Sequence, residues 1–440
     1  MPAPGIVPAV TISRRQVLTA AGAAGVVAAG AFTGAFEGPG PGFAGPAEAS
    51  TPTLPAPDDS GIEHVVVVMM ENRSFDHFLG WLPGADGKQA GLRYRGRHGR
   101  VHGTHHLEAF ASCGFADPDH SWEGGRIQLA QGRCDGFLLS GENDLLAIGY
   151  YEQADLSFLG RAATEWTTFD RYFSATMAET YPNRFYQHAA RTDRVHNNTD
   201  RCTLPTIWDR LAEAGVSGRY YFSDVPFTAL WYDKHLDISK PFGQFLLDAA
   251  AGTLPAVSFV DPRFTDEGSG TSSDDHPHAD IRAGEFFLNQ VYDAVRNGPG
   301  WEKTVLVINY DEWGGFFDHV VPGHAPDAWK KMSLRGFRVP ALVVSPLARR
   351  QHVAHRTYDH TSILRMIEWR WGLRPLTPRD RNARNIAEVL DFERGPDPHS
   401  TTYDVPAVVP TGCDVPEPAA ERAEWGDLRR LAQRLGWSLP

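Results

Sequence analysis

The chain has 440 residues, 42% of them hydrophobic and twelve of them tryptophan, with a formal charge of −12 at pH 7. That acidic balance excludes nucleic acid as the general partner, and the apolar content is ample for a large core. The length exceeds one typical domain, yet α/β enzymes reach it around a single extended sheet, so one catalytic domain with elaborations is expected.

The N-terminus reads as an address. Ser13, Arg14, Arg15, Gln16, Val17 and Leu18 form a twin-arginine signature, followed by an Ala-, Gly- and Val-rich stretch to about Phe36. Ala47, Glu48 and Ala49 fit a small-residue cleavage pattern. Residues 1–49 are therefore expected to be a signal peptide read by the twin-arginine export machinery, with an uncleaved anchor as the alternative. The mature chain is expected to be secreted, periplasmic or wall-associated, and residues 50–61 to be a linker.

Val65 to Met70 is an uninterrupted apolar run that stops at Glu71 and Asn72. Four consecutive β-branched residues suit a strand covered on both faces, as in a parallel sheet. Ligands in such sheets bind beyond the carboxyl ends of the strands, where Glu71 and Asn72 fall. Arg93, Arg95, Arg97, His98 and Arg100 then mark a surface excursion, and His102, His105 and His106 have no spacing that compels metal binding. Asp117 to Trp122, DPDHSW, precedes a helix expected over Glu123 to Gln131 and offers His120.

Further on, Thr180-Tyr-Pro-Asn-Arg184 reads as a helix start, with Thr180 at the capping position and Pro182 in the first turn. Helix N-termini also hold anions. Further strands, Gly218 to Ser223, Ala256 to Val260 and Val339 to Val344, alternate with helices over Ile207 to Ala214, Gly284 to Arg296 and Tyr358 to Trp371. The alternation predicts an α/β fold, doubly wound and mostly parallel, with helices on both faces. The Gly/Ser-rich stretch from Thr265 to Ser273 delivers Asp274, Asp275 and His276. Val305 to Tyr310 repeats the first pattern and ends in Asp311 and Glu312, followed by Asp318 and His319. Two strands then aim Glu71, Asn72, Asp311 and Glu312 at one place, and an oxygen-only donor set of this charge suits a divalent metal ion. The four cysteines, 113, 134, 202 and 413, allow three pairings; Cys113 with Cys134, nearest in sequence, is the expected one.

ENRSFDHFLG, DPDHSW, the Thr-x-Pro-Asn-Arg of Thr180 to Arg184, DDHPHAD and DEWGGFFDHV, in this order, resemble the bacterial phospholipase C and acid phosphatase family, a branch of the alkaline-phosphatase-like superfamily. The resemblance runs from Gly61 to Gly372, with Trp313 standing where relatives often carry His or Asn. It implies an alkaline-phosphatase-like catalytic domain over 62–400, with 401–440 as an extension ending in an amphipathic helix over Ala419 to Leu435. It also implies Thr180 as the covalent nucleophile, its oxygen joining the metal ligands. His120 and His276 would contact phosphate or move protons, and Asp318 and His319 would take part directly or orient the metal-bearing turn. The expected reaction is phospholipase C hydrolysis of a phosphatidylcholine-type lipid, with transient contact at a membrane surface. An acid phosphatase using the same site is the near rival, and a non-catalytic metal-stabilised surface binding protein the remote one. Trp122, Tyr181 and Trp313 are the aromatic candidates for a quaternary ammonium head group, with core packing as the alternative employment.

Overall fold

The computed structural model describes residues 52–265, 269–410, 412–413 and 424–440. The twin-arginine signature and the cleavage pattern lie outside the described residues.

An eight-stranded sheet organises the described chain. Its strands are β1 (His64–Met70), β2 (Thr167–Phe169), β3 (Gly218–Phe222), β4 (Ser239–Pro241), β5 (Val257–Asp261), β6 (Thr304–Tyr310), β7 (Ala341–Val344) and β8 (His352–Ala354). The spatial order is β8-β2-β7-β6-β1-β5-β3-β4. β1 lies parallel between β5 and β6, and β7 alone runs antiparallel, between β6 and β2. All seven residues of β6 and all of β1 after His64 are buried, so both faces of the sheet are covered, as the continuous apolar runs predict.

The helices used below are α1 (Phe75–Leu79), α2 (Trp122–Leu129), α3 (Thr180–Ala189), α4 (Ile281–Arg296), α5 (His360–Trp371) and α6 (Glu424–Arg434). α3 buries all ten of its residues. Its N-cap is Glu179 and Thr180 is the first helical residue, which corrects the expected capping role of Thr180. The helix start is held instead by a clamp. The Glu179 carboxylate accepts from the Asn197 backbone N–H at 2.5 Å and contacts His196 Nδ1 at 2.6 Å, while Asn197 Oδ1 accepts from the Tyr181 N–H at 2.7 Å.

The expected Cys113–Cys134 bridge does not form. Cys113 pairs with Cys413, 300 residues away, with the Cα atoms 5.4 Å apart. Cys134 sits instead in a small apolar cluster with Tyr94, Phe137 and Phe317, and Cys202 joins the main core. Burial pushes both free thiols up to about 12, so neither is a ready nucleophile.

Candidate active site

The register of the central strands sets the site. Met70 pairs with Tyr310, so Glu71 and Asp311 leave adjacent strands at the same level. The Asn72 N–H donates to Asp311 Oδ1 at 3.1 Å, and Asp311 N–H donates to Met70 O at 3.0 Å. Asn72 takes a positive φ of 55°, and Gly314 and Gly315 take 63° and 70°. A Cβ on Gly314 would stand 2.1 Å from Asn72 O, and one on Gly315 would stand 2.7 Å from Pro118 Cβ and 2.8 Å from Asp119 O. Two glycines therefore let the turn after β6 pack directly on the end of β1 and on the DPDHSW loop.

Arg184 reaches this point from α3. Its guanidinium meets Glu71 Oε1 at 2.9 Å, Asp261 Oδ1 at 3.2 Å and Asp311 Oδ2 at 3.7 Å, all of them buried. Thr180 lies four residues earlier in the helix, hence on the same face as Arg184, one turn towards the N-terminus. It is 2% exposed.

The two histidines meet the same place from separate loops. His120 Nδ1 lies 3.1 Å from Pro118 O and 3.3 Å from Asn72 Nδ2, with Asp117 Oδ2 and Glu312 Oε1 each at 3.9 Å. The His120 and His276 rings are 5.8 Å apart, edge to face. His276 Nδ1 contacts Pro277 O at 2.5 Å; a carbonyl only accepts, so Nδ1 carries the proton and Nε2 is the acceptor nitrogen. Burial, with the neighbouring His120 second, holds His276 well below the usual imidazole range. Asp117 Oδ2 stands 4.0 Å from His276 Nε2, between the two rings.

The donor set fits a divalent ion. Asn72 Oδ1, Asp311 Oδ2 and Glu312 Oε1 are buried and have no hydrogen-bond partner. Burial raises the Asp311 carboxyl above the usual range against the pull of Arg184, and burial followed by the Asp311 charge raises Glu312 well above it. A dication reverses such shifts by compensating the adjacent negative charges. Asp117, His120 and His276 form a further group with metal-ligand spacing, joined to the first through the His120–Glu312 approach.

Asp318 and His319 belong to a different cluster. His319 Nδ1 contacts Asp76 Oδ2 at 2.6 Å and Nε2 contacts Asp86 Oδ1 at 3.1 Å. Arg338, fully buried, pairs with Asp76 at 2.9 Å and Asp318 at 3.0 Å. The Asp318 carboxylate also receives the Asp76 N–H of α1 at 3.4 Å, and the Ser74 hydroxyl donates to Phe317 O at 2.6 Å. These bonds fasten the turn after Glu312 to the turn after Asn72.

Of the aromatic candidates, Trp313 is fully buried and donates from Nε1 to Gln128 Oε1 at 2.7 Å, and Tyr181 is 1% exposed against Phe227 and Trp425. Both are core residues. Trp122 is half-buried, with Arg126 and Lys331 over its ring. Sequence reasoning assigned no role to Asp117, Arg184 or Asp261. Asp117 and Arg184 stand inside quoted motifs, and Asp261 ends a strand as Glu71 and Asp311 follow theirs, so the signal was present.

The chain matches the Phosphoesterase family over residues 62–374. It is 31% identical to non-specific phospholipase C1 of Arabidopsis thaliana over 383 residues, 76% of this chain and 72% of that one. With phospholipase C B of Mycobacterium tuberculosis it shares 29% over 483 aligned residues, covering 90% and 88% of the two chains. Among solved structures, a protein in the alkaline phosphatase superfamily from Vibrio parahaemolyticus aligns with a TM-score of 0.38 and 12% identity, over 86% of this chain and 89% of that one. The chain belongs to the Phosphoesterase family. It is a phosphoric ester hydrolase.

Proposed function

We propose that the protein is an exported phospholipase C that cleaves phosphatidylcholine-type lipids to diacylglycerol and a phosphorylated head group, through a covalent phospho-threonine at Thr180. The observation that carries this reading is the convergence at the ends of β1 and β6. There the buried Asn72, Asp311 and Glu312 oxygens make no hydrogen bond, and Arg184, which shares its helix face with Thr180, meets Asp311 at 3.7 Å. Glu71, Asn72, Asp311, Glu312 and the Thr180 oxygen would hold a divalent ion, which when bound stabilises an alkoxide and offsets phosphoryl charge.

Thr180 Oγ1 attacks phosphorus and its proton passes to solvent as the new P–O bond forms, solvent returning one proton to His120 after the leaving step. The bond from phosphorus to the glycerol oxygen breaks, and His120 delivers the proton that lets diacylglycerol leave as a neutral alcohol. In the second half, water attacks the phosphoryl group while His276 Nε2 accepts its proton. The P–O bond to Thr180 then breaks, the threonine oxygen takes the proton held on His276 Nε2, and the phosphorylated head group departs. Half-buried Asp117 stabilises whichever imidazole is charged.

A lipid substrate is supported by the rim. Trp122, two residues from His120, is flanked by Arg126 and Lys331, and Lys331 also faces Trp329. Aromatic and cationic side chains together suit transient contact with a phospholipid surface. Export rests on Ser13 to Leu18, and replacing Arg14 and Arg15 with Lys is expected to leave precursor in the cytoplasm on fractionation. Efficient maturation of that variant would point to another route.

Initial rates on a chromogenic phosphodiester and on the matching monoester, with the released lipid identified from phosphatidylcholine vesicles, test the reading. Preference for the diester with release of diacylglycerol is expected. Preference for the monoester would make the protein a phosphatase, and no turnover of either would end the enzymatic reading of Thr180.

A further inference from the structure

The C-terminal helix α6 (Glu424–Arg434) lies beyond the family-matched segment. By its pattern alone it is a packing element, yet one of its side chains reaches the support of the site. Trp425, 3% exposed, stacks on Phe264 with ring centroids 3.9 Å apart and planes 4° from parallel. The Arg184 guanidinium lies 4.5 Å from the Phe264 centroid and 5.5 Å from that of Trp425. Trp425 also meets Tyr181, the residue after Thr180, at 5.4 Å.

This matters because of what Arg184 holds. A guanidinium is planar and its N–H donors radiate within that plane, so whatever fixes the plane fixes where the partner carboxylates must lie. Those partners are Glu71, Asp261 and Asp311, with Met69 O as a further acceptor at 3.2 Å. Asp311 Oδ2, the oxygen that faces Arg184, makes no hydrogen bond, while Oδ1 accepts from the Asn72 and Glu312 N–H groups. The stacked pair packs beside the guanidinium, 4.5 Å from it at Phe264 and 5.5 Å at Trp425, so losing the indole removes one of its two aromatic neighbours here. Cys413 is bonded to Cys113, four residues before Asp117, and its N–H donates to Ser269 O at 2.6 Å.

We propose that Trp425 is a positioning residue for the metal-ligand carboxylates: packed on Phe264 and beside the guanidinium, it holds Arg184 in place, and thereby sets where the carboxylates of Glu71 and Asp311 are held. The inference rests on the reading of those carboxylates as ligands of a divalent ion. It makes the C-terminal extension part of the site's supporting structure, although that extension supplies none of the groups that touch substrate.

The test is retention of metal by the purified full-length chain against increasing EDTA, read as metal content after desalting, with thermal unfolding followed in parallel. Trp425→Ala is expected to lose metal at an EDTA concentration lower by about tenfold or more, the usual effect of removing an outer support of a ligand. Trp425→Phe keeps an aromatic face and is expected to behave close to wild type. Leu428→Ala, a fully buried residue of the same helix, is expected to lower the unfolding temperature without changing metal retention. If Trp425→Ala does not fold, Trp425→Leu, which keeps apolar bulk without the ring, takes its place. Wild-type retention by the Ala or Leu variant, or an equal loss in Leu428→Ala, would overturn the proposal and leave the metal reading intact. A wild-type protein that holds no divalent ion would overturn both.

Discussion

Gly314 has room for a hydrogen and nothing more, because the carbonyl oxygen of Asn72 lies 2.1 Å from where its Cβ would stand. The two residues belong to turns 242 positions apart that leave adjacent parallel strands, and their contact is what brings Asn72 and Glu312 into one place. Asn72 pays for this with a left-handed backbone at φ 55°.

Gly314→Ala is therefore expected to cost on the order of 2–3 kcal/mol, combining a positive φ of 63° with a backbone clash that cannot be relieved by rotating a side chain. Urea unfolding measures the loss, and metal content measured on the folded fraction is expected to fall with it. Unchanged stability would show that the two turns separate easily.

Asp311→Asn is expected to abolish both bound metal and turnover while leaving the fold in place. The amide keeps one acceptor for the Asn72 N–H but removes the negative charge that faces Arg184 and the ligand site. Metal analysis of the purified variant checks this. Full occupancy in Asp311→Asn would remove it from the ligand set.

Thr180 separates chemistry from helix initiation more cleanly than a capping residue could. Glu179 is the N-cap, so Thr180→Ala is expected to cost less than about 1 kcal/mol of stability while turnover collapses, and Thr180→Ser to keep reduced activity. Acid quenching during turnover, followed by peptide mass spectrometry, is expected to place the phosphoryl adduct on Thr180. Near-wild-type rates in Thr180→Ala would leave direct attack by water as the better account.

Acid is expected to destabilise the fold through buried imidazoles. Burial, the largest cause in each case, holds His235 and His360 down to about 4, against an ordinary value of 6.5. A folded pKa below the unfolded one means the native state prefers the neutral ring, so the contribution is full above about pH 6.5 and is lost as pH falls towards about 4. The size is roughly 3 kcal/mol for each ring as an order of magnitude. Unfolding midpoints measured across this range should fall, and His235→Gln should flatten part of the slope. A flat profile in the wild type would mean that these rings protonate without cost.

Local sequence determined the central strands and which polar residues emerge at their ends. Val65 to Met70 and Val305 to Tyr310 are continuous apolar runs because both faces of β1 and β6 are covered, and a polar residue straight after such a run can only emerge at the strand's carboxyl end. The helices over Ile207–Glu213 and Ile281–Arg296 were legible for the same reason, since their period is written in a single turn or two. Strands of three residues such as Thr167–Phe169, Ser239–Pro241 and His352–Ala354 contain too few positions to show any period. Nor does a run of apolar residues declare that β7 runs antiparallel. What only the tertiary structure decided are the pairings between distant parts of the chain. Arg184 meets Glu71 across 113 positions, Cys113 meets Cys413 across 300, and Trp425 reaches Phe264 from beyond the last family motif. Residue type and spacing report what a side chain can do and which face of its own element it occupies. Its partner depends on how the elements cross in space, and so Trp313 turned into the core and Arg184 into the site although both stand in motifs that read equally well as chemistry.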